Sequence, residues 1–357
     1  MRHTYLASTY KILNHLNRVN VYLKGEPVYP VTLELNITAR CNRHCKDCPS
    51  ILGRNAPDLS LSSIRSLLKN MQGETPGLIV TGGEPTLHPD FPVILREAHE
   101  NGFKEIAVIT NGSFLNDPNV YEPLLKYASA VRVSLYDWNG GSFESLLPTL
   151  ERINALHNRI VESKSQLTIG TSALTQNSEA SLLPELTRLA VENGANWIYF
   201  LPCCTKDPDG NKIQLEQGKI FTTIHSLKDE YQSSPGFDVF CIDERYNEKN
   251  PSFRGYHAAH FIFVVGSDGC NYLSSESKYK PDFMLLTSAE TNENPLFNRN
   301  RLSRIAAVHS EEYSPKGNMN RGILYSDLIQ KLIDHKIDMQ SLEKRMDAMR
   351  FLMVNII

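Results

Sequence analysis

The strongest constraint on how this chain folds is an alternation of patterns between residues 30 and 202. The first run, Val31-Thr32-Leu33-Glu34-Leu35-Asn36-Ile37, switches between apolar and polar residues with period two, as a strand does. A helical period follows in Leu61, Ile64, Leu67, Leu68 and Met71, with Asp58 or Ser60 as its cap. Further strand-like runs cover 77–81, 106–110, 131–135, 167–171 and 197–201, the last stopped by Pro202. A helix carrying Leu182, Leu183, Leu186, Leu189 and Ala190 precedes the sixth strand. Strands separated by helices imply parallel β/α units. Six of them predict an α/β fold, a partial (β/α)6 TIM-type barrel over 30–205. Residues 1–29 read as a helical or loop segment. Residues 206–357 read as an α+β extension with a helix near 214–232, a short hairpin around Gly266-Ser267-Asp268-Gly269, and terminal helices.

Chemistry in such barrels collects past the C-terminal ends of the strands. Three cysteines stand there after the first strand: Cys41, Cys45 and Cys48, spaced C-x3-C-x2-C. Three close thiolates can hold three corners of a 4Fe–4S cluster and leave one iron open. The competing reading is zinc, with His44 as a fourth ligand, but no second C-x2-C knuckle follows. Gly82-Gly83-Glu84-Pro85 lies past the second strand and Asn111-Gly112 past the third, so several unusual loops fall on one rim.

The net charge is −3 and no Lys/Arg block stands out, so nucleic acid is not an implied partner. No apolar run is long enough to span a membrane, and the first residues lack an apolar signal core. Seven cysteines, an odd count without a signal peptide, argue for a reducing cytoplasm with thiolates available to metal.

With these residues in view, the sequence resembles the radical S-adenosylmethionine (radical SAM) superfamily over about 30–205. The resemblance is carried by the cysteine run together with Thr81-Gly82-Gly83-Glu84-Pro85 at the end of the next strand. It implies that Cys41, Cys45 and Cys48 bind a 4Fe–4S cluster whose open iron is chelated by S-adenosylmethionine (SAM). It implies reductive SAM cleavage to a 5′-deoxyadenosyl radical that abstracts a substrate hydrogen. It further implies that Gly82, Gly83, Glu84 and Pro85 bind SAM, with the Glu84 carboxylate as acceptor for the methionyl amine and the glycine pair letting the backbone approach, and that Ser134 meets the ribose or carboxylate. Asn111 and Asn177 match polar positions near SAM, and the backbone around Leu201 matches the adenine cradle. An electron donor such as flavodoxin or ferredoxin is implied as a partner. One departure is Asp47, where many members carry an aromatic residue before the third cysteine.

Thr32, Glu34, Asn36 and Thr38 share one face of the first strand, and Arg132, Ser134 and Tyr136 form a second polar row. These rows predict a polar lumen and a polar substrate, unless the groups pair among themselves. Tyr136, Asp137 and Trp138 fall at the rim. Cys203, Cys204, Cys241 and Cys270 lie in or beside the extension, which resembles a degenerate auxiliary-cluster (SPASM/twitch-like) region. Tyr256 and Ser274 or Ser275 stand where cysteines are expected, so a clusterless extension is the reading; a second cluster from Cys203 or Cys204 with Cys241 and Cys270 is the alternative. His257 and His260 read as structural or substrate-facing. Residues 284–320 read as loop, and Met339, Leu342, Met346, Met349 and Met353 as one helical stripe packed in the core. The function expected is a radical SAM enzyme acting on a small polar metabolite or natural-product intermediate. A peptide-modifying enzyme and a non-catalytic zinc or iron–sulfur protein are the alternatives.

Overall fold

The computed structural model describes residues 3–5, 9–45, 48, 50–136, 142–175, 177–202, 217–232, 234–245, 251–293, 295–313, 321–346 and 349–357. Its strands are β1 (His3–Tyr5), β2 (Thr32–Thr38), β3 (Gly77–Gly82), β4 (Glu105–Thr110), β5 (Ala130–Ser134), β6 (Thr168–Thr175), β7 (Trp197–Pro202), β8 (Asp238–Phe240), β9 (Ile262–Val265), β10 (Asn271–Tyr272), β11 (Met284–Leu286) and β12 (Met349–Phe351). Contacts divide the chain into two compact units. One comprises 1–41, 49–106 and 249–357, the other 42–48 and 107–248.

In the first unit β2 pairs in parallel with β3 on one side and β9 on the other. From β9 the chain turns through Gly269, whose φ of 80° suits glycine, into antiparallel β10, and β10 pairs antiparallel with β11. Leu33, Leu35 and Ile37 are wholly buried, as their alternation predicts. The polar row of β2 is equally buried, and its groups pair within the protein. The Thr32 hydroxyl donates to the Asn355 carbonyl (2.7 Å) and accepts from the Ile357 N–H (3.0 Å). The Lys278 ammonium donates to Asn36 Oδ1 (2.6 Å) and lies 3.5 Å from Glu34, to which Ser275 also donates (2.5 Å). Burial works to raise the Glu34 carboxyl, but Lys278 and these hydrogen bonds outweigh it and hold it below the usual carboxylate range. A buried charge needs such partners, and the segment after β9 supplies them. The row expected to open on a polar substrate is therefore satisfied internally.

In the second unit β4 (from Ala107), β5, β6, β7 and β8 run parallel, each paired with the next. Helices Pro118–Tyr127, Leu147–Ser163, Leu183–Glu192 and Gln217–Tyr231 alternate with them. Gly170 of β6 has the Trp197 ring against it; a Cβ there would lie 2.0 Å from the indole. Neither run of strands closes on itself, so the fold is the expected α/β arrangement of parallel β/α units in an unclosed sheet.

Four sequence expectations are corrected. Residues after 284 are not loop: they hold β11 and helices Ser288–Glu293, Arg299–Ala306 and Ser310–Tyr313. The Asn298 side chain caps the second of these by accepting from the Asn300 and Arg301 N–H groups. The methionine stripe is not one helix, because the helix ends at Met346 and Met349 lies on β12. Strand β12 pairs in parallel with β1, a partner from the far end of the sequence that no local period reveals. The first 29 residues accordingly contain a strand as well as helix. Finally β8, of three residues, escaped the period-two reading. Asp47, Asp137, Trp138, Cys203 and Cys204 lie outside the described residues.

Candidate cluster and cofactor site

Beyond Thr38 the described backbone has no regular structure up to Cys48, and Cys41, Cys45 and Cys48 are half-buried cysteines outside any disulfide. Three closely spaced cysteines in an irregular loop suit a cluster, since such a backbone can bend around it.

The entry of the loop is fastened by side chains. In the first unit the Arg40 guanidinium donates to both oxygens of Asp58 (Nε 3.1 Å, Nη2 2.5 Å) and to the Leu87 carbonyl (2.8 Å). Thr38 also donates to Asp58 (2.5 Å). Partial burial works to raise the Asp58 carboxyl, yet the hydrogen bonds from Arg40 and Thr38 hold it below its ordinary value. The cap of the helix Leu61–Asn70 is Ser60, which accepts from the Ser63 N–H, so Asp58 is free for this task. In the second unit Asn111 Nδ2 donates to Asn42 Oδ1 (2.8 Å), while Asn111 Oδ1 accepts from the Ser113 N–H (2.9 Å). Arg43 donates to the Thr149 hydroxyl (3.1 Å). Asn42, Asp58 and Thr149 were missed in the sequence; only Asn42 carried a signal, by lying between the cysteines.

Gly82 and Gly83 are required by close approach. Gly82 has φ 147°, and a Cβ there would lie 2.3 Å from the Thr38 carbonyl oxygen; at Gly83 it would lie 2.3 Å from that of Arg40. The Gly83 N–H donates to Thr38 O and the Glu84 N–H to Arg40 O, both at 2.8 Å. The turn after β3 is thus pressed onto the residues that lead into the cysteine loop. Glu84 is wholly buried, and its Oε1 accepts from the Thr86 N–H (3.2 Å) and hydroxyl (2.6 Å), capping the short turn Pro85–Leu87.

The other expected cofactor residues fall in the second unit. Ser134 ends β5 half-buried, opposite Ser172, whose hydroxyl lies 3.3 Å from that of Tyr136. Asn177 begins the short helical turn Asn177–Leu182 after β6, and half-buried Leu201 lies on β7. In the first unit Tyr256 is buried, Ser274 shares a capping box with Ser277, and His257 bonds Tyr22 (2.7 Å) and Gln330 (3.1 Å). Burial, with Arg301 nearby, pushes His260 down to about 3, so it stays neutral. Burial pushes the Cys270 thiol up to about 11. A cavity of about 30 Å³ bounded by Glu34, Tyr256, Ser275 and Arg321 has room for about one water, not a metabolite.

Residues 35–165 match the family model for the radical SAM superfamily. An S-adenosylmethionine-dependent nucleotide dehydratase of Selenomonas ruminantium is 34% identical over 131 residues, 35% of this chain and 44% of the relative. A probable GTP 3′,8-cyclase of Methanothermobacter thermautotrophicus is 27% identical over 212 residues, 58% of this chain and 60% of the relative. The chain therefore spans less than two thirds of either relative. SuiB of Streptococcus suis bound to S-adenosylmethionine shares the fold with a TM-score of 0.60 at 15% identity, over 90% of this chain and 82% of SuiB. The protein anSMEcpe with bound S-adenosylmethionine gives 0.57 at 14%, over 89% and 98%. Residues 35–165 are therefore similar to the radical SAM superfamily, and that superfamily uses a 4Fe–4S cluster and SAM. Among the described residues no helix is long and apolar enough to cross a membrane.

Proposed function

We propose that this protein is a radical SAM enzyme whose Cys41, Cys45 and Cys48 hold a 4Fe–4S cluster with SAM and whose substrate is a small polar molecule. The observation that carries this reading is the C-x3-C-x2-C run, outside any disulfide, in an irregular loop whose entry is fastened on either side of Cys41 by Arg40–Asp58 and Asn42–Asn111. Bound there, the cluster and SAM supply reductive cleavage of the sulfonium and a 5′-deoxyadenosyl radical for hydrogen abstraction. The chain's own part is to present three cysteines outside disulfides, to fix the loop's entry, and to hold the Gly82-Gly83 turn against it. We assign Gly82, Gly83, Glu84, Pro85, Asn111, Ser134, Asn177 and Leu201 to SAM. Because Glu84 Oε1 caps its own turn, backbone carbonyl oxygens of this segment, rather than that Oε1, are the better acceptors for the methionyl amine. A small polar substrate is supported by the two curated relatives, named for a nucleotide and for GTP. The internally paired row of β2 lends it no support. We place the enzyme in the cytoplasm with a low-potential donor such as flavodoxin or ferredoxin.

Anaerobic reconstitution with iron and sulfide, then dithionite and SAM, tests this. About four irons per chain and 5′-deoxyadenosine by chromatography are expected, both lost in Cys45→Ala. Zinc in place of iron, or iron without SAM binding or cleavage in the presence of nucleotide substrates, overturns it.

A further inference from the structure

Three metal-binding side chains meet beyond the end of β8, away from the cysteine loop in sequence. Cys241 is the first residue past the strand, Asp243 opens the turn Asp243–Arg245, and His225 lies on the helix Gln217–Tyr231. One ligand atom from each lies within 4.8 Å of the others. Cys241 Sγ is 3.1 Å and His225 Nε2 3.4 Å from the same oxygen, Asp243 Oδ1. Zinc bonds of about 2.0–2.1 Å to nitrogen or oxygen and about 2.3 Å to sulfur set tetrahedral ligands roughly 3.3–3.7 Å apart. Two edges of such a site are therefore already close to length.

The donor set also has an unused member. His225 Nε2 is closed to solvent yet has no hydrogen-bond partner among the described residues, and its ring is held against Phe221 (centroids 4.2 Å apart). A sealed ring nitrogen that makes no hydrogen bond is costly. Lys228, three residues on from His225, donates to Asp243 Oδ1 at 2.9 Å. An ammonium thus already serves the carboxylate, and it leaves Nε2 with only the 3.4 Å approach to Asp243 Oδ1. A divalent ion uses nitrogen, sulfur and oxygen together.

We propose that His225, Cys241 and Asp243 bind one zinc-class divalent cation, with Lys228 turned out to solvent and a fourth position left for water. Imidazole with a thiolate selects zinc over magnesium or calcium. A single thiolate cannot hold an iron–sulfur cluster, so this site is separate in kind from the Cys41–Cys45–Cys48 centre. It would join the helix Gln217–Tyr231 to the end of β8 in the second unit.

The test uses the full chain with Cys41, Cys45 and Cys48 replaced by serine, so that zinc cannot report on that run. Zinc alone, in competition with a chromophoric chelator, should bind once per chain. Cobalt(II) alone should give a thiolate charge-transfer band that disappears in Cys241→Ser. His225→Ala and Asp243→Asn should each weaken zinc by at least about tenfold. Lys228→Met should bind as tightly as its parent or more so. Should the serine background fail to fold, zinc content is measured on the iron-loaded wild type and its Asp243→Asn variant after desalting. One zinc in the former and none in the latter supports the site. Zinc absent from both the parent and Lys228→Met, or held equally by Cys241→Ser and Asp243→Asn, overturns it: the cluster is then an ion pair completed by Lys228.

Discussion

One methyl group at residue 82 or 83 meets a carbonyl oxygen of the strand end that leads to the cysteines. Gly82→Ala and Gly83→Ala should therefore cost about 1–3 kcal/mol in thermal or urea melts, because backbone cannot yield as a flexible side chain can. Iron retained after reconstitution should fall with them. Asn111→Ala removes the bond to Asn42 and the one from the Ser113 N–H, each worth about 1 kcal/mol. Stability in melts should fall by about that sum while iron is lost several-fold faster to a chelator. Lys11 illustrates a charge without a catalytic role. It is wholly buried, and burial, with Arg321 adding and Glu105 opposing, pushes its ammonium down to about 7 from an ordinary 10.5. Between those values the unfolded chain binds more protons, so this group makes stability rise with pH across that window. Lys11→Met should stabilise most near pH 6, with the gain shrinking towards zero above about pH 10.5 in urea melts run across that range. The cysteines and the glycine pair were legible in the sequence because their chemistry admits few substitutes. Asp58 and Thr149 were not, since each acts through a partner brought near only by folding.

Strand β2 was read correctly from its period, but the fate of its polar face was not. A period says which residues share a face and is silent on what covers it. Glu34 and Asn36 are covered by Ser275 and Lys278, more than 200 residues later. Breaking one side of such a pair leaves an uncompensated buried charge. Lys278→Met should thus cost about 3–5 kcal/mol, and adding Glu34→Gln should recover more than half of it in a double-mutant cycle. The short strands β8, β10 and β11 and the parallel pair β1–β12 were hidden for the same reason. Two or three residues carry too little pattern, and the ladder partner decides them. The methionine stripe shows the converse: Met339, Leu342 and Met346 obey the helical period, and β12 then ends it.

At the scale of the molecule, the α/β class and the order of β/α units were written in composition and spacing, since each unit repeats one local rule. The division into two interleaved units was not, since contact between remote segments sets it. The first unit takes residues from both ends of the chain, and its strand β2 lies between β3 and β9. During refolding of the whole chain, pulse-labelled amides of β2 and β9 should gain protection together, later than those shared by β6 and β7. On the ribosome this becomes a matter of time. At roughly 5–20 residues per second, β2 is made on the order of ten to fifty seconds before β9 emerges to cover its free side. For that interval it is an exposed edge rich in leucine and isoleucine, a template for pairing with another nascent chain. Glu34 and Asn36, so well matched in the finished protein, stand in that nascent edge as an unpaired charge and an unpaired amide. The same two residues that stabilise the native sheet therefore discourage premature association of its unfinished form.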